Sequence, residues 1–255
     1  MNNHSTNENA VTYRALAHFY DTMMGGNKYP GWKNLIASVV KQYHVATGTC
    51  LDVACGTGNI SKLALELGFR VVGVDMSKEM VSVAQTKFPN ETFIASDIRD
   101  FTLGQEATSG ITLAVSFYDS LNYLLSDEDM LKALEAVYRN VASGTIFLFD
   151  MNTLDHVQAA QKYAPRVQVE PDFYSVYRFS GEGRFWVLDM DIFVKEGAMY
   201  RLAQERHVER SYDRDDIVPL VKKAGFELLE VKEEYKVYPD GVNRLSRLYF
   251  IVRKP

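Results

Sequence analysis

Apolar residues along the first part of the chain recur at helical spacing. Two amphipathic segments, 11–24 and 30–43, are separated by a pair of glycines, and the second segment begins at a proline. This pattern predicts two helices with a break between them. The polar residues 1–9 carry no such pattern, and we expect them to be disordered.

After residue 45 the pattern changes to short apolar strands that alternate with amphipathic helices. The predicted strands are Thr49–Ala54, Arg70–Asp75, Thr92–Ala95, Ile111–Phe117 and Thr145–Asp150. Such alternation is typical of a parallel sheet with right-handed crossovers. A helix at 213–224 and two long strands, 226–238 and 244–253, close the chain. We therefore predict a doubly wound α/β fold with a mostly parallel seven-stranded sheet and an antiparallel last strand.

Three segments of strand character between 172 and 210 interrupt this alternation. They are separated by Gly181-Glu182-Gly183 and Lys195-Glu196-Gly197, which are typical of hairpin turns. The segments predict a small inserted antiparallel sheet of three strands. The predicted division of the chain is a helical cap (1–44), an α/β domain (45–155 and 211–255) and an inserted acceptor lid (156–210).

Composition narrows the possible functions. The hydrophobic share of 47% and the charged share of 24% are ordinary for a globular protein. The net charge of −5 and the absence of a Lys/Arg cluster argue against a nucleic-acid partner. No secretory leader is recognisable, and no apolar run approaches the ~20 residues of a membrane span. We expect a cytoplasmic protein without a membrane partner, in which Cys50 and Cys55 are small buried residues.

The first predicted strand delivers an acidic residue, Asp52, to a loop of small residues. Ala54, Gly56 and Gly58 allow a tight turn into the next helix and a close approach of a ligand to the backbone. Asp75 ends the following strand, where its carboxylate can accept both ribose hydroxyls of an adenosine. The arrangement predicts a nucleoside cofactor, although strand ends also carry acidic residues for structural reasons.

Two cofactors contain such a nucleoside. A dinucleotide requires a third glycine three residues after Gly58, and the chain has Ser61 there. The Asp52 carboxylate is also unfavourable beside a pyrophosphate, but compatible with the ammonium and sulfonium groups of S-adenosylmethionine. The sequence favours S-adenosylmethionine.

These residues resemble the motifs of class I S-adenosylmethionine-dependent methyltransferases, which read acidic-x-Gly-x-Gly-x-Gly. Ala54 stands here in place of the first glycine. Ser96-Asp97-Ile98 is similar to the adenine site of that family, in which the carboxylate and the next backbone amide hold the base. Residues 117–124 (FYDSLNYL) resemble the loop that borders the methionine moiety and the acceptor. The resemblance covers roughly 45–155 and 211–253, and it implies that Phe117, Asp97 and Ile98 contact the cofactor.

The N-terminal YDTMM and YPGW segments and the inserted sheet resemble a narrower branch, which includes amino-sugar N,N-dimethyltransferases. That resemblance implies a small-molecule acceptor. It also implies that Tyr20 and Trp32 close over the methionine end of the donor and that Met76 lies on the adenine face. Tyr123 aligns with a histidine that contacts substrate in the amino-sugar enzymes.

A general base is needed if the acceptor arrives protonated. The candidates, in no particular order, are Tyr123, His207, Asp119 and Tyr20, and no set of metal ligands is apparent. His207 lies on a strand face that either lines the acceptor pocket or faces water, and water is the favoured interpretation. His156 is expected to have a surface or structural role.

Packing explains several of these residues without a functional role. Tyr123 can pack beside Leu121 and Leu124, and Asp97 can cap the turn that follows it. Tyr20 and Trp32 can pack the N-terminal helices on the domain. Two other functions also stay open: an RNA-modifying methyltransferase, which the acidic balance opposes, and a donor-binding protein without catalysis. The acceptor, its reacting atom and the oligomeric state do not follow from the sequence.

Overall fold

A computed structural model describes residue 17 and residues 19–24, 29–162 and 165–255. The predicted disordered segment 1–9, and half of the first predicted helix (residues 11–16 and 18), lie outside these residues. The helices are α1 (Tyr20–Met24), α2 (Tyr29–Gln42), α3 (Asn59–Glu66), α4 (Lys78–Lys87), α5 (Gln105–Ser109), α6 (Asp127–Arg139), α7 (Leu154–Ala160) and α8 (Arg214–Lys223). The strands are β1 (Thr49–Val53), β2 (Arg70–Asp75), β3 (Thr92–Ala95), β4 (Ile111–Ser116), β5 (Ile146–Asn152), β6 (Arg166–Val169), β7 (Phe173–Glu182), β8 (Phe185–Glu196), β9 (Met199–Arg210), β10 (Glu227–Val237) and β11 (Asn243–Arg253).

Seven strands form the main sheet in the order β10-β11-β5-β4-β1-β2-β3. β11 runs antiparallel to both of its neighbours, and the remaining pairs are parallel. The predicted α/β fold with an antiparallel last strand is confirmed. Because β1 and β4 lie at the centre, the loops that follow them meet at one edge of the sheet.

Apolar residues cover both faces of this sheet. Successive residues of β1 point to opposite faces of the sheet, so that Leu51 joins the core beside α6 and α8, whereas Cys50 joins the core beside α2 and α3. All seven residues of β5 are buried, as expected for a strand with helices on both faces. Cys50 and Cys55 are buried free thiols, as predicted.

The inserted sheet differs from the prediction in one respect. It has four antiparallel strands, β6-β7-β8-β9, rather than three. β6 was not predicted because its four residues contain only two apolar positions, Val167 and Val169, too few to indicate a strand, and both are exposed. The helix before it, α7, was not predicted either, and Thr153 caps it through the amide of His156.

The inner face of β7, β8 and β9 packs against Met23 of α1 through a cluster that includes Phe173, Met190 and Ile192. In the described residues the two sheets share no strand. The division of the chain into a cap, an α/β domain and a lid stays a prediction. Within the described ranges, no helix is both long and apolar enough to cross a membrane.

Candidate active site

The ends of β1, β2, β3 and β4 surround a cavity of about 980 Å³, which is partly open to solvent and which we call the first cavity. The strand-end loops supply its walls, since Ala54 follows β1 and Asp97 follows β3. Seven of the eleven predicted cofactor-binding residues line it: Tyr20, Ala54, Gly56, Asp75, Met76, Asp97 and Ile98. The other four, Trp32, Asp52, Gly58 and Phe117, pack behind this lining.

The loop after β1 turns through three residues with left-handed backbone: Ala54, Gly56 and Gly58, at φ of 58°, 53° and 80°. A Cβ atom at Gly56 would meet nothing within 4 Å, because this residue borders the first cavity. A Cβ atom at Gly58 would lie 3.0 Å from the ring of Phe88. The absence of a side chain therefore leaves ligand space at Gly56, whereas Gly58 serves backbone conformation and packing.

The carboxylate of Asp75 is held by two backbone amides at the floor of the first cavity. Gly56 N donates to Oδ2 at 2.8 Å, and Ser77 N donates to Oδ1 at 2.9 Å. Burial raises the pKa of Asp75, and these two hydrogen bonds oppose the rise. Each oxygen keeps a second lone pair, so the carboxylate can accept two further hydrogen bonds from a ligand.

Asp52 lies behind the glycine loop and is 1% exposed. The hydroxyl of Ser61 donates to its Oδ2 at 2.6 Å. Burial raises the pKa of Asp52 to about 7, although the bond from Ser61 opposes the rise. Ser61 is fully buried in this contact, so the position where a dinucleotide site needs a glycine is filled by a structural hydrogen bond.

Asp97 and Ile98 lie at the other end of the first cavity, beside Arg99. The backbone amide of Arg99 donates to Asp97 Oδ1 at 2.9 Å, and its guanidinium donates to both carboxylate oxygens. Burial raises the pKa of Asp97, but the bonds from Arg99 outweigh it and hold the pKa below its usual value. Arg99 also contacts Asp129 at 3.2 Å. Asp97 thus caps the local turn and lines the cavity at the same time.

Trp32 and Phe117 form an aromatic layer under the loop after β4. The ring of Trp32 lies 5.6 Å from that of Phe117 and 5.1 Å from that of Tyr118. Its Nε1 donates to the hydroxyl of Tyr249 at 3.4 Å. Trp32 is 4% exposed, so its position matches the packing interpretation. Tyr20 is the member of the predicted pair that borders the cavity.

A second cavity, of about 1590 Å³ and partly open to solvent, lies between the loop after β4 and the inner face of the inserted sheet. Three residues line both cavities: Tyr20, Tyr118 and Tyr123. The two cavities therefore meet at a rim of three tyrosine side chains.

The β9 face that carries His207 is buried, so the expectation that it faces water is wrong. Residues 120–123 form a 3-10 helix, and its last residue, Tyr123, covers the strand. The hydroxyl of Tyr123 lies 2.8 Å from Nδ1 of His207. Glu209, two residues further along, accepts from Trp186 Nε1 at 3.1 Å and is also hydrogen-bonded to Tyr123. Burial raises the pKa of Glu209 well above its usual value.

The loop after β4 has an unusual backbone. Tyr118 and Asp119 are consecutive non-glycine residues with φ of 69° and 55°, a conformation that costs free energy. The carboxylate of Asp150 accepts from both of their amides, at 3.2 and 2.8 Å. Arg247 donates to Asp150 and, at 3.0 Å, to Asp119. Asn152 also donates to Asp119, at 2.8 Å.

Sequence reasoning overlooked several residues of this region. Asp150 and Arg247 were not singled out, although an arginine inside an apolar strand is a recognisable sign of a buried partner. His156, expected at the surface or in a structural role, lines the second cavity with its Nδ1 2.5 Å from the hydroxyl of Tyr238. Trp186 borders the same end of the cavity.

Comparison with known proteins agrees with this geometry. A family model described as a methyltransferase domain matches residues 50–144. The putative methyltransferase YqeM of Bacillus subtilis (strain 168) is 29% identical over 249 residues, which cover 96% of this chain and 98% of the relative. The dTDP-3-amino-3,4,6-trideoxy-alpha-D-glucopyranose N,N-dimethyltransferase of Streptomyces venezuelae is 28% identical over 126 residues, 49% of this chain and 51% of the relative.

A solved structure has a similar fold. The S-adenosylmethionine-dependent methyltransferase from Clostridium acetobutylicum ATCC 824 superposes with a TM-score of 0.80 at 24% identity, covering 94% of this chain and 98% of that one. The chain has the fold of this structure, and nearly its whole length is similar to the Bacillus subtilis relative. The protein is a methyltransferase, whose residues 50–144 match the methyltransferase domain. The predicted likeness to amino-sugar N,N-dimethyltransferases is confirmed.

Proposed function

We propose that the protein transfers the methyl group to a nitrogen or oxygen atom of a small molecule, with the donor in the first cavity and the acceptor in the second. The observation that carries this proposal is the shared rim. Because Tyr20, Tyr118 and Tyr123 line both cavities, two ligands would meet there and not elsewhere.

The residues of the first cavity fit S-adenosylmethionine. The open space at Gly56 would accept the ligand against the backbone, and the free lone pairs of Asp75 would accept the ribose hydroxyls. Met76, which is 49% exposed, and Ile98 offer apolar surface for the adenine ring. When bound, the donor supplies a methyl group already activated by a sulfonium, so that an attacking lone pair displaces the thioether in line.

The second cavity has both aromatic and positively charged side chains that a polar small molecule could contact. Tyr177, Trp186 and Tyr238 supply aromatic surface, while Arg166 and Lys236 supply positive charge. The matched relative from Streptomyces venezuelae acts on a dTDP-linked amino sugar, as its name states. An acceptor of comparable polarity would be compatible with this lining.

The chain's own residues would contribute mainly by positioning the two ligands and excluding water. Positioning of this kind supplies up to ~7–11 kcal/mol in favourable cases. Tyr123 faces the rim and is hydrogen-bonded to His207, so this pair would take a proton from the acceptor. Asp119 is bound by Arg247 and Asn152, and we assign it to holding the loop rather than to proton transfer.

The test is incubation with methyl-labelled S-adenosylmethionine and a metabolite extract, followed by mass spectrometry of the products. We expect a labelled small molecule that has gained one methylene unit. Tyr123→Phe should lower its formation about tenfold or more, with nearly unchanged donor affinity and melting temperature.

Two outcomes would contradict the proposal. Label found only in RNA, when total RNA replaces the extract, would indicate a nucleic-acid acceptor. Tight donor binding without labelled product from either source would indicate a protein that binds the donor without catalysis. The control is a heat-denatured sample with the same extract.

A further inference from the structure

A chain of polar side chains runs from the rim into the inserted sheet. The hydroxyl of Tyr123 is 2.8 Å from Nδ1 of His207, and Nε2 of the same imidazole is 3.3 Å from Oε2 of Glu205. The side chains of His207 and Glu205 are 2% and 3% exposed. A carboxylate two residues from the imidazole on one strand face is thus shielded from water together with it.

We propose that Glu205 is a positioning residue, which holds His207 in the tautomer whose Nδ1 accepts the hydroxyl proton of Tyr123. This inference rests on the proposed function, in which Tyr123 faces the acceptor. Glu205 does not line either cavity, so it would act only through His207.

The chemistry of the three groups dictates the direction of the hydrogen bonds. An ionised carboxylate has no proton to donate, so the imidazole must carry its proton on Nε2. Nδ1 then has a free lone pair, and the bond to Tyr123 must be donated by the hydroxyl. The lone pairs of the Tyr123 oxygen are then left for a ligand at the rim and for Glu209, which can donate to them only in its protonated form, the form that burial favours by raising its pKa.

The distance of 3.3 Å between Nε2 of His207 and Oε2 of Glu205 lies at the long end of the range for an N–H···O hydrogen bond. Contacts of this kind commonly shorten when the reacting complex forms. A positive charge on the imidazole would strengthen its attraction to the carboxylate, since both groups are buried and screened little by solvent.

The proton balance of the step is complete. The acceptor's nitrogen or oxygen forms the bond to the methyl carbon, and the carbon–sulfur bonding pair leaves with sulfur. The acceptor's proton passes to the oxygen of Tyr123, whose own proton moves to Nδ1 of His207. The positive charge that began on sulfur ends on the imidazole beside Glu205 and is later released with a proton to water.

Glu205→Gln tests the proposal because glutamine keeps the shape but can donate through its amide. With the amide nitrogen towards Nε2, the imidazole proton moves to Nδ1, and Tyr123 loses its acceptor. An equivalent Asp→Asn change in serine proteases lowers turnover about 10⁴-fold. Because Glu205 acts only through Tyr123, we expect transfer of label into the metabolite extract to fall about tenfold or more, to the same extent as in Tyr123→Phe, with unchanged donor Kd and unchanged apparent KM for the donor.

A spectroscopic measurement needs no acceptor. Two-dimensional 15N–1H spectra of the imidazole rings report which nitrogen carries the proton, and His207→Asn assigns the resonance. We expect the Nε2–H form in the parent protein and the Nδ1–H form in Glu205→Gln. A parent His207 protonated on Nδ1 at neutral pH would overturn the proposal, whatever the activity of the variant.

Asp191→Asn is the matched control. Asp191 lies on the neighbouring strand of the same sheet, is bonded to Arg178 and Gln204, and faces away from His207. The substitution removes the same charge from the same sheet, and turnover should stay within about twofold of the parent, as for other surface substitutions.

The two proposals fail in different ways. In the double variant Tyr123→Phe with Glu205→Gln, we expect no loss beyond that of Tyr123→Phe alone, since both act on one proton path. Full activity of Glu205→Gln beside an impaired Tyr123→Phe would overturn only the role of Glu205. Full activity of Tyr123→Phe would overturn the proposed function of Tyr123 itself.

A second variant covers the case in which Glu205→Gln does not fold. Glu205→Asp keeps the carboxylate and should retain the Nε2–H form of His207 and most of the activity. Loss of both would overturn the proposal.

Discussion

Arg247 and Asp150 form an ion pair between adjacent strands of the main sheet, with side chains 7% and 0% exposed. The same carboxylate accepts the amides of Tyr118 and Asp119. The pair therefore neutralises a charge in the core and holds two left-handed residues at the rim of both cavities. Such residues cost about 1–3 kcal/mol each and persist only when their surroundings determine them.

Removing the cation should be strongly destabilising. Arg247→Met leaves the Asp150 carboxylate buried without its partner, and we expect the free energy of unfolding to fall by about 3–5 kcal/mol. Urea denaturation measures the change. In the double variant with Asp150→Asn, the loss should be smaller than the sum of the two single losses. Additive losses would mean that the two residues do not stabilise each other.

Asp75 should dominate donor affinity. Asp75→Ala removes charge-assisted hydrogen bonds of about 1.5–3 kcal/mol each, so calorimetry should show donor affinity reduced about tenfold or more. Asp100→Ala is the matched control, since its side chain is 92% exposed at the same edge of the sheet. Equal affinities for the two variants would remove Asp75 from the donor site.

Alanine substitutions at Gly56 and Gly58 should have different effects, one mainly on donor affinity and the other mainly on stability. Both glycines have positive φ, so each alanine should cost about 1–2 kcal/mol of stability. Gly56→Ala would also place its Cβ in the first cavity and lower donor affinity. The Cβ of Gly58→Ala would lie too close to the ring of Phe88, so this variant should lose further stability and keep its donor affinity. The measurements are the melting temperature and the donor Kd, and a larger loss of affinity in Gly58→Ala would contradict this assignment.

Asp52 should make stability depend on pH. Burial raises its pKa to about 7 in the folded protein, from 3.8 as the ordinary value. The folded state then binds the proton more tightly, so the stability from this group is complete below pH ~4 and is lost as the pH rises through ~7.

Asp52→Asn keeps an acceptor for Ser61 and removes the titration. Relative to this variant, the parent should lose up to about 1.4 kcal/mol of unfolding free energy per pH unit across that window. Paired denaturation curves at pH values from about 4 to about 7 measure the difference. A difference that does not change with pH would show that Asp52 is not buried as a neutral acid.

Local sequence patterns were sufficient to predict the main sheet. β2 and β3 have the predicted bounds because each is a short apolar run that polar residues or glycines bound on both sides. Ser77 caps α4 through the amide of Met80, as its position before that helix indicates. β6 and α7 were overlooked because β6 has only two apolar positions and α7 has only seven residues.

The candidate site was predictable only where its residues are close in sequence. Asp52, Gly56 and Asp75 lie within one strand–helix–strand unit, so their meeting follows from the local pattern. The buried face of β9 did not follow, because Glu205 and His207 have polar side chains and the element that covers them comes from residues 120–123. The pairing of Asp150 with Arg247 spans 97 positions, and no short-range pattern contains it.

The contact between Tyr123 and His207 joins positions 84 apart, one in a loop of the main sheet and one in the insertion. Exchanging the insertion between related enzymes to alter their substrate range would therefore replace half of this pair while leaving the other half behind. If His207 takes the proton as proposed, a chimera that inherits a foreign β9 needs a proton acceptor at this position, because otherwise its new pocket would bind molecules that it methylates slowly.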